Sequence, residues 1–162
     1  ATINYSNDYT AWAQEQDPRL VQLVTSPGME LYGDYLRLLS PYGSRLQSLT
    51  VDGNLVGAED IWTENSRTVF ARYFVLPMDS TKEVEFTYVA PYVVDMTSSP
   101  YEYRLVVQKQ PGTRGIPLTI SLAIPPGFNL ISAELDGISL GKSTIQVTTD
   151  LNEDRELVVR FK

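Results

Sequence analysis

The sequence predicts an all-β chain made of two copies of one β-sandwich unit, and three observations carry the expectation. First, PYGSRLQSLTVDGNLVG at 41 to 57 returns without a gap as PPGFNLISAELDGISLG at 125 to 141, 84 residues later (125 minus 41). Across positions 38 to 57, eight residues equal their partners at 122 to 141: Leu38, Pro41, Gly43, Leu46, Ser48, Asp52, Gly53 and Gly57. Chance at average residue usage gives about one such identity, so a repeat is the first constraint on the fold. Second, Leu118, Ile120, Leu122 and Ile124 alternate with Thr119, Ser121 and Ala123, the period of a strand with one buried face. Third, Pro-x-Gly and Asp-Gly turns punctuate the chain at short intervals. Short strands between such turns suit two duplicated immunoglobulin-like β-sandwich units, with a small helical insertion near the N-terminus.

Residues 1 to 6 set Ile3 and Tyr5 against Asn4 and Ser6, a short strand. A chain whose Ala1 opens directly onto a strand is expected to be a fragment of a longer protein. The period then lengthens. Tyr9, Trp12, Ala13, Gln16, Leu20, Leu23 and Val24 fall near a spacing of about 3.6 residues, and Asp8 is placed to cap a first turn. Asp17-Pro18 is a capping side chain followed by proline at the first helical position. Two short helices are expected, over 8 to 15 and 18 to 24, closed by Ser26-Pro27-Gly28. A strand over 19 to 25 is the competing reading, because Pro27-Gly28 matches Pro111-Gly112 at the same offset of 84 (111 minus 27).

The first copy runs from Tyr32 to Val56, with Leu36 and Leu38 alternating against Tyr35 and Arg37. Pro41 and Pro125 have no amide hydrogen to give a ladder, and Gly43 and Gly127 accept positive φ, so a strand ends at each. Asp52-Gly53 and Asp136-Gly137 suit two-residue hairpin turns of type I′. Between these turns the apolar parity slips in both copies. Leu46 and Leu130 stand three residues before Leu49 and Ala133, which predicts a bulge or a change of face. AEDIWTENS at 58 to 66 has no counterpart and reads as a loop; TVFARYFVL at 68 to 76 reads as a long buried strand ended by Pro77. Met78 to Thr81 turns the chain into a half-exposed strand carrying Val84, Phe86 and Tyr88.

The first unit therefore spans 1 to 91, with its helical insertion at about 8 to 24; 92 to 101 is a connection containing Ser98-Ser99-Pro100. The second unit, 102 to 162, has strands at 103 to 110, 118 to 124, 144 to 148 and 157 to 161, the last two joined by the acidic turn 150 to 154. Leu157, Val159 and Phe161 correspond to Val84, Phe86 and Tyr88 at an offset of 73 (157 minus 84). The 11 residues lost (84 minus 73) match the 58 to 66 segment and its edges. One larger sandwich, with each copy giving half, is the alternative architecture.

At 162 residues and 43% apolar composition the chain can fill a core. Its net charge is −7, and its 13 Lys and Arg are scattered rather than clustered. Nucleic acid and anionic membranes are poor partners for such a surface. The chain has no cysteine and no histidine, so disulfides, thiolate nucleophiles, imidazole bases and the usual zinc ligands are excluded, and no cofactor is implied. No apolar run reaches the roughly 18 residues of a membrane span, and the segment is expected to make no membrane contact itself.

The text YRLVVQKQPGT at 103 to 113, with YGDYLRLLSPYGSRL at 32 to 46, RTVFARYFVLP at 67 to 77 and LAIPPGF at 122 to 128, resembles the C-terminal region of the domain-of-unknown-function family four-zero-one-two of bacterial cell-surface proteins. The resemblance covers most of residues 30 to 162, and QKQPGT at 108 to 113 is its most specific motif; residues 7 to 27 depart from it. It implies an exported fragment of a membrane-anchored protein, extracellular or at the cell surface. It carries no functional residue.

Several residues invite a functional reading, each beside a plainer one. Asp52-Gly53, Asp136-Gly137 and Asn152-Glu153-Asp154 offer loop oxygens to calcium, yet turns need the same residues. Glu59, Asp60 and Glu64 around Trp62 suit glycoside hydrolysis with the indole as a sugar platform; the plainer reading has Trp62 capping the open end of the sandwich. Tyr88, Tyr92, Tyr101 and Tyr103 offer an aromatic face, or ordinary strand residues. Pro111-Gly112 marks a fixed turn or a ligand loop. The function expected is a non-catalytic extracytoplasmic structural or interaction module, not an enzyme, whose partners are other domains of the parent chain or another surface protein. The alternative is a carbohydrate or cell-wall glycan binding module using Trp62 and exposed tyrosines, and a carboxylate-only hydrolase is a third reading.

Overall fold

The computed structural model describes residues 1–24, 31–91, 94–95, 97, 99–112, 114–141 and 145–162. The protein is all-β but for two short helices, and it divides into two compact units, Ala1–Pro91 and Tyr92–Lys162. Expectations at Ser26-Pro27-Gly28, Tyr92, Thr113 and Thr144 lie outside the described residues.

In the first unit β1 (Thr2–Asn7) leads into α1 (Tyr9–Gln16) and α2 (Pro18–Val24), and then come β2 (Leu31–Pro41), β3 (Arg45–Val51), β4 (Asn54–Leu55), β5 (Asp60–Glu64), β6 (Arg67–Pro77) and β7 (Ser80–Val89). Residues 18 to 24 are thus helical, against the strand reading. Asp17 caps α2 by accepting the Arg19 amide at 3.0 Å, with Pro18 in the first turn. Asp8 makes no side-chain cap to α1 and accepts the Ser6 hydroxyl instead. The strands form two antiparallel sheets, β1-β7-β3-β4 and β2-β6-β5. Leu49, Val84 and Phe86 from the first and Phe70, Phe74 and Leu76 from the second make one core, with Ile3 and Tyr5 packed against it. Period-two alternation explains the arrangement, since β1, β2, β3, β6 and β7 each give one row of apolar side chains to the space between the sheets.

The second unit contains β8 (Val94–Asp95), β9 (Tyr101–Val107), β10 (Pro117–Leu122), β11 (Leu130–Leu135), β12 (Ile138–Ser139), β13 (Ile145–Asp150) and β14 (Arg155–Phe161). Its sheets run β12-β11-β14-β9-β8 and β10-β13. Ile120, Ala133, Ile145, Leu157, Val159 and Phe161 form its core. Tyr101, Phe128 and Phe161 meet there with ring centroids 5.5 to 5.9 Å apart, the edge and tilted contacts that aromatic quadrupoles favour.

The two units agree in detail. The order β4-β3-β7-β1 matches β12-β11-β14-β9, and β2-β6 matches β10-β13. Asp52 and Gly53 take φ of 50° and 75°, Asp136 and Gly137 φ of 51° and 78°, the paired positive values a type I′ hairpin requires. The Ser44 amide donates to the Pro41 carbonyl at 3.1 Å and the Phe128 amide to the Pro125 carbonyl at 3.2 Å. The register shifts between Leu46 and Ser48 and again between Leu130 and Ser132. These are the bulges that the slipped apolar parity predicted.

Two expectations are corrected. The stretch 58 to 66 is not a loop throughout, because Asp60–Glu64 pairs with β6 as a third strand. Asn65 and Ser66 both take positive φ, 47° and 58°, closing a tight hairpin without any glycine. The stretch 92 to 101 is not only a connection, since Val94 and Asp95 pair with Tyr103 and Glu102. Among the described residues no helix is long and apolar enough to cross a membrane.

Candidate functional site

The carboxylates offered as calcium ligands are occupied by the fold. Asp52 accepts the Glu83 amide at 2.9 Å on one oxygen and the Lys82 ammonium at 3.3 Å on the other. The Glu83 amide holds its carboxyl below the ordinary range, helped by Lys82. Asp136 does the same in the second unit, accepting the Glu156 amide at 2.8 Å and the Arg155 guanidinium at 3.1 Å. Asn152 takes the Gly115 amide and Asp154 the Lys109 amide, both at 2.8 Å, while Glu153 takes Arg155 at 2.9 Å. These bonds stitch the QKQPG turn, with Gly112 at φ 87°, onto the turn before β14. Among the described residues no group of three acids is assembled to hold a metal.

Of the tyrosines singled out, Tyr88 belongs to the first unit and Tyr101 and Tyr103 to the second. Tyr88 packs on Phe70 in the first core, where burial raises its pKa. Tyr101 and Tyr103 pack against the second core.

Trp62 does not cap an end of the sandwich; it stands on the outer face of the β2-β6-β5 sheet. Phe70 points into the core, so Val69 and Ala71 point outward, and yet both are fully buried. What covers them is a set of long side chains. Tyr35 and Arg37 lie on β2 and Asp60, Trp62 and Glu64 on β5, with β6 between. The Tyr35 hydroxyl donates to Asp60 Oδ2 at 2.6 Å, and the Arg37 guanidinium meets Glu64 Oε2 at 3.5 Å. Both side chains therefore reach across β6. Trp62 Nε1 also donates to Glu64 Oε2, at 3.2 Å. The bond to Asp60 raises the Tyr35 pKa above the ordinary phenol value, so the hydroxyl stays protonated.

Beside this group Tyr73 lies over Gly33, where a Cβ would collide with the Tyr73 hydroxyl. Tyr35, Leu39 and Tyr73 are 43%, 47% and 48% exposed. A shallow, open depression of about 580 Å³ is lined by Tyr35, Arg37, Asp60, Ile61 and Trp62.

Asp60 and Glu64 are four residues apart on one strand, with their Cα atoms about 13 Å apart by strand rise. Glu59 is held by the Tyr73 amide at 3.1 Å and Arg72 at 3.4 Å. What the arrangement offers is a rigid aromatic surface with planar polar groups between the rings. Sequence reasoning singled out Trp62, Asp60 and Glu64 but missed Tyr35, Arg37 and Tyr73, whose part depends on β6 lying between β2 and β5. No family model, curated protein or solved structure matches the chain.

Proposed function

We propose that the chain is a non-catalytic interaction module of a larger bacterial surface protein, built from two duplicated immunoglobulin-like sandwich units. The connectivity supports the second part. With β2 and β6 as strands B and E, and β3 and β7 as C and F, the sheets read D-E-B and C′-C-F, and β1 takes the place beside F that the last strand of an immunoglobulin domain fills. The second unit repeats this with β10, β13, β11 and β14, and with β9 beside F. The resemblance of residues 30 to 162 to the cell-surface family supports an exported, membrane-anchored parent.

The observation that carries the functional reading is the state of the acids. Asp52, Glu59, Asp60, Glu64, Asp136, Glu153 and Asp154 each bind an amide, guanidinium, indole or hydroxyl of the fold itself. They act as braces. In a chain without histidine or cysteine this supports contact rather than turnover, and its partners are other domains of the parent chain or another constituent of the cell surface. The test is co-sedimentation of the purified chain with isolated bacterial cell envelopes, beside turnover assays on chromogenic glycosides and esters. Saturable retention without turnover is expected; no retention, or turnover above the uncatalysed rate, contradicts the reading.

A further inference from the structure

We propose that the outer face of β2-β6-β5 binds an uncharged saccharide polymer, laid across Trp62 and Tyr35 with its hydroxyl groups on Asp60, Arg37 and Glu64. The proposal deepens the interaction-module reading and rests on it. Its strongest support is the comparison of the two units. Tyr35 pairs with Tyr73 in the first unit, and the positions that answer to them in the second are Thr119 and Thr148, also a cross-strand pair. There the two hydroxyls bond each other at 3.3 Å. The architecture therefore makes no demand for aromatic rings on this face. The strand that supplies Asp60, Trp62 and Glu64 is likewise present in the first unit alone, with no third strand beside β10 and β13 among the described residues.

The chemistry of the added residues selects the ligand class. Hexoses present an apolar face of axial C–H bonds, which lies flat on an aromatic ring, and an edge of hydroxyl pairs, which planar carboxylate and guanidinium groups bind through two atoms at once. This face holds both kinds of group within one depression, fixed by strand pairing and by the Tyr35–Asp60 and Trp62–Glu64 bonds. Little ordering is left to be done on binding. Asp60 and Glu64 stand against Arg37 and Arg67 on this face, so the face itself is close to charge balance, and the net charge of −7 on the chain disfavours anionic polymers. The depression is open rather than enclosed, so it suits the interior of a chain passing over it better than a small molecule needing burial on most sides. A peptide partner would want an apolar centre with a polar rim, whereas here the charged groups sit between the rings.

The test is affinity electrophoresis of the full chain through gels holding β-1,3-glucan, β-1,4-glucomannan, α-mannan or, as the anionic comparison, hyaluronan. At least one neutral polymer is expected to retard the wild type, with hyaluronan giving no retardation. Trp62→Ala and Tyr35→Ala should each weaken binding at least tenfold, Tyr35→Phe severalfold, and Thr148→Ala not at all, with urea midpoints confirming that the variants fold. Retardation by hyaluronan alone, by none of the polymers, or equally in Trp62→Ala would overturn the saccharide assignment. If envelopes still retain the chain undiminished in the presence of an excess of each neutral polymer, the module reading stands and the saccharide assignment falls. If untreated envelopes fail to retain it, the module reading falls as well.

Discussion

At Asp52 and Asp136 the backbone sits at φ 50° and 51°, followed by glycine at 75° and 78°, and each carboxylate ties its hairpin to the neighbouring strand, accepting the Glu83 amide of β7 or the Glu156 amide of β14. A Cβ at Gly53 or Gly137 would meet no atom within 4 Å, so backbone strain alone decides what a substitution costs. Gly53→Val and Gly137→Val are expected to destabilise by about 1 to 3 kcal/mol each, alike in urea midpoint and unaffected by calcium. A calcium-dependent midpoint in either variant would show that a metal site has been taken for a turn. Ser66, at φ 58°, is the converse case. Ser66→Gly relieves about 1 to 2 kcal/mol of left-handed strain and costs about 0.5 to 1 kcal/mol in backbone entropy, so thermal denaturation should show a small gain. Asp52 adds a pH dependence. Its folded pKa lies below the unfolded value of about 3.9, so its contribution is complete above that pH and is lost as pH falls through the folded pKa. Asp52→Asn should lower the urea midpoint at pH 6, and the two proteins should converge towards pH 2. The group is exposed, so the difference is small.

Among the elements, the hairpins were legible because proline, glycine and aspartate act on the chain locally: each limits φ or supplies a bond within a few residues, and a repeated text repeats those limits. The bulges at Gln47 and Ile131 were legible for a related reason, since a slip in apolar parity must be absorbed somewhere between two fixed turns. β5 was not legible. Its turn, Asn65-Ser66, carries no glycine, and its partner β6 shows the same buried text whether or not a neighbour lies beside it. The candidate face was half legible, Trp62 and its acids standing together in the sequence while Tyr35 bonds a residue 25 positions away. The start of β14 differs from the matching start of β7 in a way that can be tested. Arg155, with its side chain 14% exposed, holds Asp136, Asp150 and Glu153, whereas Lys82 in the matching position holds Asp52. Arg155→Met should lower the urea midpoint of the second unit more than Lys82→Met lowers that of the first.

For the whole molecule the decisive feature is that each unit closes its own core. Leu49, Phe70 and Val84 are fully buried in the first and Leu157 and Val159 in the second, and each core draws on both sheets of its own unit. β1 fills the place beside β7, and β9 the place beside β14, so among the described residues no sheet takes a strand from the other unit. Domains of this size bury enough surface to fold alone, if marginally. The measurement that tests the account most directly is therefore amide NMR of segments 1 to 91 and 92 to 162, produced separately and compared with the whole chain. Two independent sandwiches predict a dispersed spectrum for each segment, overlaying its part of the full spectrum except near residues 91 and 92. A collapsed, undispersed spectrum for either segment, recovered only when the two are mixed, would show one larger sandwich and contradict the account.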